Sequence, residues 1–395
     1  MRKGRPARSA SSRRAASCWS GSLQAPAPLP ANLPYGVVSA EAGSLAYQAI
    51  VSAIDLARAG TVAGIVTAQG GATAHSAIVA RALGIPALVG AGAAVLLLAP
   101  MLPIIGRTIN GARLWVGIGP LTFQPGELAK IALTIFFAGY LVTRRESLSI
   151  VGRKVLGVRI PRARELGPIN ANWAASLGVF VLQRDLGTSL LYFGIFLVMV
   201  YVATGRAIYV TVGLGMFITG ALVAGRLMGY VAGRFDSWLD PFSPENYDAI
   251  GGSYQLVQGI FGLAHGGLLG TGLGGGVPQL VPLAESDFII ASLGEELGLI
   301  GLFAILALYL LLVTRGIRIG FNHPDDFSKL LAVGLSFVIA LQTFIVIGGV
   351  TRVVPLTGLT TPLLAAGGSS LLANWIIIGL LLRISDSARS RGELQ

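Results

Sequence analysis

The chain has 395 residues, of which 53% are hydrophobic and 12% are charged, and its mean hydropathy is +0.73. Soluble globular domains carry about twice that charged fraction, so the composition excludes an ordinary soluble enzyme and equally excludes a disordered chain. A single cysteine, Cys18, excludes a disulfide framework and a thiolate zinc site, and three histidines argue against a histidine-rich metal centre.

The net charge of +11 is concentrated in two segments. The first 14 residues contain six Lys or Arg and no acidic residue. Residues 1–44 are predicted to form a basic disordered tail, because no apolar run long enough for a secretory signal follows the basic residues. The second segment, residues 144–165, contains seven basic and two acidic residues. The excess charge therefore lies outside the apolar body of the protein.

Apolar runs of about 20 residues, the length that crosses a bilayer, begin only after residue 88. We predict about eight spans, at 89–106, 126–143, 168–183, 186–204, 207–228, 288–313, 328–349 and 365–383. The first and third of these runs are short. The sequence therefore predicts an all-α polytopic membrane protein, preceded by a small partial α/β domain.

Short loops rich in Lys and Arg stay on the cytoplasmic side of a membrane, so residues 144–165 set the orientation of the neighbouring spans. By alternation, both termini are predicted to be cytoplasmic, and the acidic segment 229–287 becomes a large outer loop. The predicted domains are a tail (1–44), a partial domain (45–92), a membrane domain (93–386) and a cytoplasmic tail (387–395).

Several polar residues fall on the predicted outer face. Glu127 and Lys130 are three residues apart, which suits an ion pair on one helix face, and Asp185 lies in a tight turn between two spans. Each has a structural alternative, a packing pair for the first two and a helix cap for Asp185. Together, ionisable residues at membrane depth indicate a site for a polar, anionic substrate. The remaining members of this group are Asp287, Arg352, Thr357, Ser369 and Ser370.

Asp287 is the predicted reactive carboxylate, because it borders both an apolar helix start and a Gly-rich loop at residues 265–276. Glycine-rich backbone can bring N–H groups close to a ligand. The same composition also fits a flexible connector, and both interpretations stay open at this point.

The order and spacing of these motifs resemble the SEDS proteins, the RodA/FtsW/SpoVE group, over about residues 94–386. The sequence of the last motif is most similar to that of the same motif in actinobacterial RodA-like members. The resemblance rests on Asn110–Trp115, Phe123–Lys130, Gln183–Thr188, Ser286–Ile290, Gly294–Gly298, Pro355–Gly358 and Gly367–Leu372.

The resemblance implies a peptidoglycan glycosyltransferase that polymerises lipid II during cell-wall elongation or division. Asp287 would be the general base, and Lys130, Arg113 and Arg352 the cations available to a diphosphate leaving group. The family also implies a divalent cation (Mg or Mn) and a class B penicillin-binding protein as transpeptidase partner, with no nucleic acid. Family members usually have ten spans, so the first two and part of the third are expected to be missing here.

Residues 45–92 resemble the phosphohistidine swivelling domain of PEP-utilising enzymes, with a strand, a Gly-Gly turn, a helix from Thr73 and a second strand at about 83–90. His75 matches the phosphorylated histidine, and a helix N-terminus suits a phosphorylated side chain. Because neither the ATP-grasp nor the PEP-binding barrel is present, we interpret His75 as a relic in preference to a working phosphocarrier.

Two alternatives to the polymerase remain open from the sequence. A flippase that moves the same lipid would also use a polar outer cavity. The second alternative is an inert, truncated fusion product, because helices expected to pack against the site are missing.

Overall fold

The computed structural model describes residues 85–109, 112–119, 121–149, 154–155, 158–159, 178, 183–249 and 251–392. The chain divides into two compact units, Met1–Ala46 and Tyr47–Gln395, and all of the described residues belong to the second. The predicted basic tail and His75 lie outside the described residues. Of the predicted span 168–183, only residues 178 and 183 are described, and both are helical.

Within its described part, the chain has ten α-helices with defined bounds, and two short 3₁₀ turns at Ala99–Met101 and Pro278–Leu280. In chain order the helices are α1 (Ile85–Leu98), α2 (Pro125–Ser149), α3 (Leu186–Thr204), α4 (Ala207–Leu227), α5 (Gly229–Leu239), α6 (Pro244–Tyr247), α7 (Tyr254–Gly266), α8 (Ile289–Phe321), α9 (Asp326–Val350) and α10 (Gly368–Gly392).

The described strands are short and lie between the first helices. An antiparallel sheet of order β1-β2-β3 joins α1 to α2, with β1 at Gly106–Ile109, β2 at Ala112–Ile118 and β3 at Leu121–Phe123. Val116 lies opposite both Gly106 and Phe123 in its register. A two-stranded hairpin, β4 (Lys154–Val155) and β5 (Val158–Arg159), follows α2.

Six described helices are long and apolar enough to cross a membrane, which confirms the polytopic membrane class. They correspond to six of the predicted spans. Their bounds are Pro125–Thr143, Leu186–Thr204, Ala207–Leu227, Ile289–Phe321, Asp326–Val350 and Gly368–Arg389.

The region before the sheet differs from the sequence prediction in two ways. The strand expected at 83–90 is wrong, because α1 already begins at Ile85, with Pro86 in its first turn where a missing N–H costs nothing. The span expected at 89–106 is also too long. Helix α1 ends at Leu98, a 3₁₀ turn containing Pro100 follows, and the chain enters β1.

The buried fractions of the spans show which helices form the centre of the bundle. In an apolar 18-residue stretch of each span, 72% of the residues are buried in α9 and 67% in α3, against 17% in α4 and 11% in α8. The main core joins α2, α3, α8, α9 and α10 through side chains such as Leu141, Phe196, Leu335 and Ile377. The apolar surfaces that α4 and α8 leave uncovered suit contact with lipid.

Helix α8 is interrupted at Gly298, where φ is 67° and ψ is −174°, a conformation essentially restricted to glycine. The Gly-rich loop packs against this interruption. The N–H groups of Thr271 and Gly272 donate to carbonyls just before the break, at 3.0 Å each, and Leu299 donates back to the loop at 2.9 Å. The loop therefore satisfies backbone groups that the break exposes, as membrane depth requires, and these two N–H groups serve the helix instead of a ligand.

Candidate functional site

Asp185 caps the N-terminus of α3, as one of the sequence interpretations proposed. Its carboxylate accepts a hydrogen bond from the N–H of Thr188 at 2.9 Å and a second from the Thr188 hydroxyl. Gly187 in this turn allows close packing, since a β-carbon there would lie 2.7 Å from the Cγ of Leu359 and 2.9 Å from the Cβ of Thr357. The turn at the N-terminus of α3 thus packs closely against the loop between α9 and α10.

Asp287 lies in the turn just before α8, and its side chain is half-buried. The neighbouring Phe288 is fully buried against Leu256 and Ala291, which anchors the turn on α7 and α8. The α9–α10 loop passes beside the carboxylate, because a β-carbon on Gly358 would lie 3.6 Å from Oδ2 of Asp287. Asp185 and Asp287 therefore border the same loop segment.

Burial raises the pKa of Asp287 from its usual 3.8 to about 6. A hydrogen bond from Ser286 and the charge of Arg234 act in the opposite direction, while the charges of Asp185 and Glu285 raise the pKa further. Burial also raises the pKa of Asp185, against its hydrogen bonds from Thr188 and the charge of Arg234. The two carboxyls and Arg234 thus interact with one another.

Arg234 is a site residue that the sequence interpretation missed. It lies on α5, and its Nη1 donates to the carbonyl oxygen of Leu356 at 2.6 Å, on the loop segment beside Asp287. The only signal in the sequence is compositional, because Arg234 is the single Lys or Arg between residues 229 and 287. Nothing local in the sequence indicates that α5 folds back against the α9–α10 loop.

Glu127 and Lys130 form the predicted ion pair, with Nζ and Oε2 2.6 Å apart, and both are deeply buried at 5% and 1% exposure. Lys130 Nζ also donates to Oε1 of Gln342 at 2.8 Å, and the Gln342 amide donates to the carbonyl of Thr360 at 2.9 Å. The Thr360 hydroxyl in turn donates to Oγ of Ser370 at 2.8 Å. This polar network ties α2, α9 and α10 to the loop that borders Asp287.

The other predicted binding residues, Thr357 on this loop and Ser369 and Ser370 in the first turn of α10, are also buried. Thr357 is 6% exposed, Ser369 is 8% exposed and Ser370 is 4% exposed. The Ser369 hydroxyl accepts a hydrogen bond from the N–H of Gln124, 3.0 Å away. The hydrogen bond between Gln124 and Ser369 holds the end of this loop next to the start of α2, and so positions the loop beside Asp287.

Arg352 lies just after α9, and Arg113 lies on the sheet between α1 and α2. The guanidinium of Arg352 donates to the Trp238 carbonyl, at 2.9 Å from Nη2 and 3.2 Å from Nε, and to the Leu239 carbonyl at 3.2 Å. Trp238 Nε1 donates back to the Arg352 carbonyl at 2.9 Å. Arg352 therefore braces the C-terminal end of α5 against the end of α9. Arg113 is exposed on β2 of the sheet.

A divalent cation held by protein groups alone would require several carboxylate or imidazole ligands at one point. Among the residues that the structure describes, no group of three or more His, Cys, Asp or Glu side chains can hold a metal ion. His265 hydrogen-bonds Oε1 of Glu295 through Nδ1 at 2.9 Å, away from the two aspartates in sequence. The part of the chain that the structure describes thus offers no protein-built metal site, and no chemical step below depends on one.

The sequence profile of the FtsW/RodA/SpoVE family, described as cell cycle proteins, matches residues 79–390. The chain belongs to the FtsW/RodA/SpoVE family. This match includes every described residue of the site, from Glu127 to Ser370. A second profile, the mobile domain of PEP-utilising enzymes, matches residues 49–105 and overlaps the first over residues that include α1.

Similar proteins within the FtsW/RodA/SpoVE family include enzymes of known name. The chain is 49% identical over 299 residues to the peptidoglycan glycosyltransferase RodA of Mycobacterium tuberculosis, covering 76% of this chain and 63% of that protein. It is 35% identical over 300 residues to stage V sporulation protein E of Bacillus subtilis, covering 74% and 77%. The chain thus spans less than two thirds of the length of the mycobacterial relatives that it matches.

Two solved structures share the fold of this chain. One is a chain of a peptidoglycan synthase complex that coordinates polymerization and crosslinking, with a TM-score of 0.61, 26% identity, and coverage of 88% of this chain and 89% of that one. Another is a mutant of the Thermus thermophilus rod shape determining protein RodA, with a TM-score of 0.53, 24% identity, and coverage of 88% and 87%. The latter supports the fold alone.

Proposed function

We propose that the chain is a peptidoglycan glycosyltransferase that polymerises lipid II, with Asp287 as the general base. The observation that carries the proposal is the position of Asp287, half-buried beside Arg234 and the α9–α10 loop, with a pKa raised to about 6. A carboxylate with a pKa close to the working pH is suited to accept a proton and to return it to solvent. The relatives named as peptidoglycan glycosyltransferases support the reaction class.

The proposed reaction is a glycosyl transfer between two lipid-linked sugars. Asp287 accepts the proton of the acceptor sugar hydroxyl, and the hydroxyl oxygen forms a bond to the anomeric carbon of the donor. The bond between that carbon and the diphosphate oxygen breaks, and the lipid diphosphate leaves with the electron pair. Cationic groups near the leaving oxygen stabilise the charge that develops there.

The orientation of the bundle follows from the loop charges. Residues 144–165 hold most of the positive charge of the loops, which supports a cytoplasmic position for them and, by alternation, for both termini. The turn with Asp287 then faces the outer leaflet. Lipid-linked substrates would reach Asp287 from that leaflet.

We also propose a class B penicillin-binding protein as the partner that crosslinks the product strands. The support is the solved peptidoglycan synthase complex, whose matching chain has the same fold and covers 88% of this chain. If this proposal is correct, the two proteins should co-purify from a membrane fraction.

The function is tested by reconstituting the full chain in liposomes with lipid II and following both the lipid and its products. Glycan strands separated on a gel support the polymerase. Movement of labelled lipid II across the bilayer without strands would favour the flippase instead. Absence of both activities from a folded, membrane-inserted protein would favour the inert fusion product.

The rate of polymerisation is expected to depend on the ionisation of Asp287. Because the base must be deprotonated, kcat/KM should rise with pH through about 6, and at pH 5 it should be about a tenth of its plateau value. A pH–rate profile that stays flat between pH 5 and 7.5 would contradict the assignment.

The raised pKa of Asp287 also predicts an effect on stability. The free energy of unfolding should fall as pH rises from about 4 to 6, since the unfolded state has already released this proton.

A further inference from the structure

Arg184 and Arg234 both lie close to Tyr230, near the turn that contains Asp287. The Cζ atom of Arg184 lies 5.9 Å from the centre of the Tyr230 ring, within the range of a cation–π contact. Arg234 is one turn further along α5 than Tyr230, and residues four apart share a helix face. Arg184 directly precedes the cap Asp185 and has a φ of 56°, which a non-glycine residue adopts only when its surroundings hold it there. The fold thus holds the Arg184 backbone beside Tyr230, and the hydrogen bond to Leu356 holds the Arg234 guanidinium.

The charges of these arginines act on the same small region. Burial raises the pKa of the Tyr230 hydroxyl, the charges of Arg234 and Arg184 act in the opposite direction, and the charge of Asp185 raises the pKa further. Arg234 also lowers the pKa values of Asp185 and Asp287. The two cations, the tyrosine hydroxyl and the two carboxyls thus interact electrostatically at one end of the bundle.

Of the three cations suggested by the sequence, Arg113 lies on β2, and the other two have internal partners. Lys130 is 1% exposed and is held by Glu127 and Gln342. Arg352 is held by the carbonyls at the end of α5. By contrast, Arg184 is exposed. A guanidinium has five N–H donors, and Arg234 uses one of them for Leu356.

We propose that Arg184 and Arg234 together bind the diphosphate group of the lipid-linked donor and of the lipid diphosphate that leaves. This inference rests on the proposed function and adds the groups that hold its leaving group. A diphosphate needs several N–H donors and positive charge, and guanidiniums supply both in a planar fork. Once Asp287 has taken the acceptor proton, its negative charge is gone, and the two arginines face only Asp185 and the exposed Glu285. The site therefore becomes more positive by one charge at the step in which the diphosphate acquires its charge.

The test measures binding and needs no polymerisation. The full chain in nanodiscs is titrated with undecaprenyl diphosphate and, in parallel, with uncharged undecaprenol, and the ratio of the two dissociation constants is the readout. The wild type should bind the diphosphate lipid at least about tenfold more tightly. Arg184→Gln and Arg234→Gln should each reduce this preference several-fold, and the double variant should abolish it, with little change for undecaprenol.

Arg315→Gln is the matched control, because it removes the same charge from an exposed residue near the far end of α8 and should leave the preference unchanged. Arg184→Lys keeps the charge and should retain part of the preference. Since Arg184 is exposed, Arg184→Gln tests the proposal even if Arg234→Gln fails to fold.

The outcomes separate the two proposals. A wild type that prefers the diphosphate lipid together with a double variant that keeps this preference would overturn the arginine site alone. A wild type without the preference would overturn the arginine site and also the diphosphate donor of the proposed reaction. Loss of strand formation in Asp287→Asn, with a preference for the diphosphate lipid equal to or larger than that of the wild type, would support both, since the substitution removes a negative charge from the site.

Discussion

Asp287→Asn is expected to reduce the rate of glycan-strand formation from lipid II by roughly 100-fold to 10,000-fold, the usual contribution of a general base. The amide is nearly the same size as the carboxyl and keeps the contact with the α9–α10 loop, but it cannot accept the proton of the acceptor hydroxyl. Because burial disfavours the charged carboxylate, which is why its pKa is raised, the neutral side chain should not destabilise the fold. Initial rates and thermal unfolding are measured on the same preparations.

Glu285→Gln provides the control for this experiment. Glu285 lies two residues away in the same turn, but it is exposed to solvent. Removing its charge should change the rate by less than about threefold, since interactions between exposed charges are weak. An Asp287→Asn variant that keeps more than a tenth of the wild-type rate would show that another group is the base.

Local contacts of the site could be predicted from the sequence, because spacing alone determines them. Three-residue spacing on a helix led to the Glu127–Lys130 pair, and the position of Asp185 before an apolar run led to its role as a cap. Both interpretations had been alternatives to a functional role, and the structure shows that a residue can be structural and still lie beside the candidate base.

Long-range contacts could not be predicted in the same way. The hydrogen bond from Arg234 to Leu356 joins residues 122 positions apart, and that from Trp238 to Arg352 joins residues 114 apart. These contacts depend on how the segment between α4 and α8 folds, which hydropathy does not specify. The sequence therefore suggested Lys130, Arg113 and Arg352 as the available cations, whereas the structure gives Lys130 and Arg352 internal partners.

The fold shows the same division between local and long-range information. Continuous apolar length located six spans correctly. It did not reveal the break in α8 at Gly298, because Gly298 lies within an otherwise helical apolar run and its conformation depends on the loop around Thr271. The Gly-rich loop looked like a ligand-binding element or a connector, and its described contacts make it a partner of the broken helix.

Lys130→Met is expected to destabilise the protein by about 3–5 kcal/mol, because it leaves the Glu127 carboxylate buried without its counter-charge. The Oε1 atom of Gln342 would lose its donor as well. The free energy of unfolding is measured by denaturant titration of the protein in detergent micelles. Lys329→Met is the control, since Lys329 is only half-buried at the start of α9 and should change stability by less than about 1 kcal/mol.

The double variant Glu127→Gln/Lys130→Met distinguishes a structural pair from a substrate-binding one. The new amide group is neutral, so most of the lost stability should return, as it does when both partners of a buried pair are replaced. If the pair serves only to hold α2 against α9, polymerisation should recover together with stability. A stable double variant that remains inactive would instead give Glu127 or Lys130 a direct role at the site, since the network that they anchor also positions the loop beside Asp287.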